Sequence, residues 1–122
     1  MRGISLAFML LAVVSALLGM GWGIQMSATD DHSLSIAHAH LNLLGWVGFA
    51  IFAGFYQVVP LARGKLAWVH FAIALAGVVV IIPGIVMALT DNGTAVAKIG
   101  SVLTFLSMAV FLLVVIRSRN TA

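Results

Sequence analysis

The sequence contains no cysteine, which excludes disulfides, iron–sulfur clusters and thiolate metal sites. Charge is almost as scarce: six Lys+Arg and three Asp+Glu in 122 residues, or 7% of the chain. The six cations are scattered and form no patch for nucleic acid. None of the three acids falls within a long apolar run, where proton pumps and cation-coupled transporters usually carry one. Linkers, low-complexity segments and internal repeats are also missing, and the chain is too short for more than one domain, 1–122.

Apolar side chains fill the rest. They make up 63% of the residues, with a mean hydropathy of +1.21, which no soluble domain of this size matches. A membrane crossing takes about 20 mostly apolar residues. Four runs qualify, at 4–24, 36–60, 66–89 and 95–116. Short polar gaps separate them, so consecutive helices should lie side by side and antiparallel. The expected fold is all-α, an integral membrane four-helix bundle. The first run follows Arg2, as in a secretory signal, but it is long enough to span and reads as a retained helix.

Four crossings place Arg2, the Arg63/Lys65 loop and the Arg117/Arg119 tail on one side. Asp30, Asp31 and Asp91 fall on the other side with Lys98. The positive-inside rule then puts both termini in the cytoplasm, with a bacterial inner membrane as the expected location.

Against this background His38 and His40 stand out, one residue apart at the head of the second run. Helical neighbours two apart diverge by about 200° and rise by about 3 Å. The two imidazoles therefore point to opposite flanks and cannot grip one metal together. Each ring nitrogen in an apolar zone wants a partner, either a backbone carbonyl, a proton relay or a metal. Neutral imidazole is a good ligand for heme iron. Gly45 and Gly48 thin the helix below the histidines and leave room for a macrocycle.

Other residues read as structural. Gly19 and Gly23 share a face and permit close helix approach. Pro83-Gly84 kinks the third helix in its outer half. Ser101, Thr104 and Ser107 form a stripe toward a neighbouring helix. Trp22 and Trp68 suit the two membrane surfaces, while Trp46 lies deeper, as a cavity wall or core filler. Tyr56 carries no assignment. His70 is expected at the inner interface and His32 in a solvated outer turn.

The stretch HAHLNLLGWVGFAIFAGFYQVVP, 38–60, resembles the catalytic subunit of heme–copper oxidases and nitric oxide reductases. In one of that family's patterns, His40 with Asn42, Leu43, Leu44 and Val59-Pro60 implies an axial ligand of a low-spin heme. In a second pattern, His38, His40, Leu44, Gly45 and Trp46 match a His-x-His with Leu-Gly-Trp. There the first histidine binds the high-spin heme and the second the low-spin heme. Outside this stretch the family's copper-binding histidines are absent, so enzymatic activity stays open, and the resemblance implies heme binding and electron transfer.

The family fold has three arcs of four helices around a pseudo-threefold axis, and this chain corresponds to one arc. The resemblance thus implies a homotrimer with b-type hemes between protomers. Each heme would take His38 of one protomer and His40 of the partner subunit. Gly45 would make room for it, Trp22 and Trp46 would flank it, and Lys98 would lie near its propionates. With no cysteine, the usual covalent c-type attachment is excluded. Two alternatives remain open: a copper site built from His32, His38 or His40 of three protomers, and a non-redox accessory subunit of a larger oxidase. The sequence does not identify a redox partner.

Overall fold

The computed structural model describes residues 1–119. Four long helices are each apolar and long enough to cross a membrane: α1 (Gly3–Thr29), α2 (Ser35–Val58), α3 (Lys65–Leu89) and α4 (Ala95–Arg117). They match the four runs read from the sequence. α1 continues past the apolar run through Gln25–Thr29 until Asp30 adopts a left-handed conformation with φ 53°. α2 stops two residues before Pro60, where the run predicted it to continue. The residue before a proline is pushed out of helical geometry, and Val59 takes φ −120° and ψ 83°. α3 passes through Pro83 without interruption.

Two close seams build the bundle. On the first, α1 offers Ser15, Gly19 and Gly23 to Gly45, Asn42 and His38 of α2. The rising numbers on one helix meet falling numbers on the other, so the pair is antiparallel. A side-chain carbon on Gly45 would lie 2.7 Å from Ser15 Cβ, and one on Gly19 would overlap the Asn42 amide. On the second seam, Gly84 and Ile81 of α3 meet Ala97 and Gly100 of α4, again antiparallel. Small residues let backbones approach where lipid supplies no hydrophobic drive for association. Thr104 and Ser107 of the hydroxyl stripe face the bundle, whereas Ser101 is exposed. All three hydroxyls donate to carbonyls of their own helix.

α1 and α4 occupy opposite corners, and α2 and α3 join them across the middle. Aromatic rings fill that middle at the Arg/Lys-rich end. Phe8 of α1 is fully buried, with ring centroids 5.7, 5.4 and 5.7 Å from Phe49, Phe52 and Tyr56. Phe8→Ala is expected to cost about 2–3 kcal/mol, the cavity share of a core truncation, because a lipid-exposed reference state removes most of the transfer share. Reversible unfolding in mixed micelles measures it.

Candidate functional site

The acidic end holds the histidines of the second run. Asp30 ends α1, and Asp31 accepts the Ser33 backbone N–H at 3.0 Å, turning the chain into α2. Hydrogen bonding from Ser33 holds the Asp31 carboxyl below its ordinary range. His38 follows one turn into α2 and His40 half a turn later.

As the helical rotation predicts, the two rings diverge. His38 enters the α1–α2 seam, where its Nε2 stands 2.9 Å from the Gly19 carbonyl. A carbonyl only accepts, so His38 Nε2 carries the proton and donates. The Asn42 amide nitrogen stands 3.3 Å from the same Nε2, and Trp22 meets the His38 ring edge-to-face at 6.1 Å. Gly23 allows this entry, since a side-chain carbon there would lie 3.2 Å from His38 Nε2. The two glycines expected to bring helices together thus admit a specific polar pair.

His40 turns the other way. Its Nδ1 donates to the Ile36 carbonyl, one turn back on the same helix, at 2.8 Å. The proton then sits on Nδ1, and Nε2 keeps its lone pair. Among the described residues nothing bonds to that nitrogen, nor is it sealed inside the protein. Leu43, Trp46 and Val47 follow it as exposed side chains. Trp46 therefore does not fill the core, where one expectation placed it.

Directly after His40 the helix widens. Leu41–Gly48 forms a π-helix, whose hydrogen bonds span five residues instead of four. Such segments are rare and frequent at functional sites. Gly48 suits the wide turn because a side-chain carbon there would lie 3.2 Å from the Leu43 carbonyl oxygen.

The remaining expected ligands do not join this site within one chain. His32 is exposed in the turn between α1 and α2. Lys98 is exposed on α4, beside Ile99, Val102 and Leu103. Among the described residues, no three His, Asp or Glu side chains gather closely enough to hold a metal. Fit to a heme therefore rests on the imidazoles. Iron is ligated through a free nitrogen lone pair, commonly with the other nitrogen donating to a carbonyl. His40 meets both conditions through Nε2. His38 donates through Nε2 to Gly19 and keeps its lone pair on Nδ1, the nitrogen beside its own backbone, where a macrocycle has less room to approach.

A second polar cluster lies at the opposite end, and sequence reasoning missed it. His70, expected at the inner interface, lies near the Arg/Lys-rich end of α3 with its side chain 0% exposed among the helices. α3 turns it inward, where Tyr56 of α2 lies 2.9 Å from its Nδ1. Rings of Phe8, Phe52 and Phe111 surround the imidazole at centroid distances of 5.1, 4.5 and 5.1 Å. Tyr56 finds no other side-chain acceptor among the described residues, so its hydroxyl donates to Nδ1 and the His70 proton sits on Nε2. Among the described residues that buried N–H has no hydrogen-bond acceptor, and aromatic rings surround the imidazole. The available signal was positional: Tyr56 and His70 flank the short Arg63 loop on antiparallel helices.

Comparison with known protein families, curated proteins and solved structures gave no match.

Proposed function

We propose that this protein is a membrane heme protein, in which His40 supplies one axial ligand to a b-type heme at a seam between two copies, for one-electron transfer. One observation carries this reading. His40 has its proton fixed on Nδ1 by the Ile36 carbonyl, and its Nε2 lone pair has no partner among the described residues. An imidazole acceptor left open in an apolar zone is costly unless something ligates it.

The roles of the residues follow from their atoms. His40 Nε2 would hold the iron. The Ile36 carbonyl sets the tautomer and ring orientation and raises the basicity of the ligand. Leu43, Trp46 and Val47 offer an apolar surface beside the imidazole. The π-helix after His40 separates this outward surface from the Gly45 contact on α1. His38 has a different role: it fastens α2 to α1 through Gly19. A bound heme would supply reversible one-electron chemistry at its iron.

The trimer expected from the resemblance draws two ligands from each chain. With Nε2 of His38 committed inside the seam, one ligand per chain favours a twofold pair, each heme joining His40 and His40 of the partner subunit. The charge bias of the loops supports an inner-membrane orientation with the Arg/Lys-rich end in the cytoplasm.

An optical spectrum of the protein purified from heme-replete cells tests the proposal. Sharp, split bands of a low-spin b-type heme after dithionite reduction are expected. A colourless preparation that takes up no added hemin rejects the proposal.

A further inference from the structure

The Arg/Lys-rich end carries a pocket of about 320 Å³ between the α2–α3 connection and the last turn of α4. Arg63, Lys65 and Arg117 line it, together with Gly64, Leu66 and Ser118, and no acidic residue does. Among the described residues none of the three cations forms an ion pair; Asp30, Asp31 and Asp91 all lie at the opposite end. One cation is held in place. Arg63 Nε donates to the Tyr56 carbonyl at 2.7 Å, and its Nη2 donates to the Gln57 carbonyl at 2.6 Å. Those bonds close the end of α2 and leave Nη1 and the second Nη2 hydrogen without a partner among the described residues. Lys65 and Arg117 come from different helices, so the fold brings three separate cations to one concavity.

We propose that this pocket binds a phosphate group, presented by an anionic lipid at the membrane surface. The pocket lies at the ends of apolar helices long enough to cross a bilayer, where lipid headgroups would stand, and a cation beside an anionic surface gains about 1 kcal/mol, about fivefold in affinity. Arg63 meets phosphate with a preset planar fork, and Lys65 and Arg117 add charge from either side. The proposal is independent of the heme reading and uses none of its residues.

Native mass spectrometry of the full chain in a neutral detergent tests it, with phosphatidylglycerol and phosphatidylcholine as probes and inorganic phosphate as competitor. Phosphatidylglycerol is expected to bind up to about 100-fold tighter than phosphatidylcholine, about fivefold for each of the three cations. The Lys65→Gln/Arg117→Gln double variant keeps the Arg63 bonds to α2 and is expected to lose about 25-fold of that affinity, about fivefold per charge. Lys98→Gln, at the other end, is expected to change nothing. Resistance of the lipid complex to millimolar inorganic phosphate supports the lipid source, and displacement supports free phosphate at the same cations. Equal binding of the two lipids, wild-type affinity in the double variant, or an equal loss in Lys98→Gln would overturn the proposal.

Discussion

His40→Ala is expected to purify without low-spin heme bands, and His38→Ala is expected to keep them. The contrast comes from hydrogen bonds already in place. His40 donates through Nδ1 to Ile36 and holds Nε2 open, whereas His38 donates through Nε2 to Gly19 across the helix seam. Losing an outer partner of a ligand typically costs 10–100-fold in metal affinity, so losing the ligand itself is expected to exceed about 100-fold. Hemin titration of each purified variant reads this directly. His38→Ala instead loses one interhelical hydrogen bond, about 0.6–1.7 kcal/mol of stability. Bleaching by both variants alike would restore His38 to the ligand set that the resemblance implied.

Gly100→Ala is expected to prevent the α3–α4 seam from closing. An added methyl would lie 2.5 Å from Ile81 Cα and 2.7 Å from Ile81 N. Both atoms belong to backbone, which cannot move aside as a flexible side-chain end can, so the helices themselves must separate. Overpacking of this kind costs about 1–3 kcal/mol and occasionally more. The upper end is expected here, since Gly84 makes a similar approach to the Ala97 backbone on the same seam. Gly54→Ala is the control: nothing lies within 4 Å of its added carbon, and alanine gains about 0.5–1 kcal/mol of helix propensity. Unfolding of both variants by SDS in mixed micelles measures the difference. Equal stability would remove the seam from the account of the fold.

The four membrane-length helices were legible because lipid demands long apolar helices and the polar gaps between them are unmistakable. The divergence of His38 and His40 was legible because it follows from rotation along one helix. What each ring meets was not, since Gly19 reaches His38 only across a seam. Gly19 and Gly23 announced a close approach but not the Asn42 amide and imidazole that fill it. The π-helix over Leu41–Gly48 has no periodic signature in so apolar a run, where every register looks alike. The partner of His70 was hidden for a related reason. Its position near the start of α3 suggested an interface, but not that the helix faces the bundle there or that Tyr56 comes from another element. Contacts within one helix could be read from spacing, and contacts between helices could not.

The ratio of heme to polypeptide in the purified complex tests the central claim most directly. A pyridine hemochrome assay set against quantitative amino-acid analysis gives it. One ligand per chain and two per iron predict one heme for every two chains, with no heme in His40→Ala. One heme per chain would show that each polypeptide supplies both ligands, and would contradict the assignment of His38 to the α1–α2 seam.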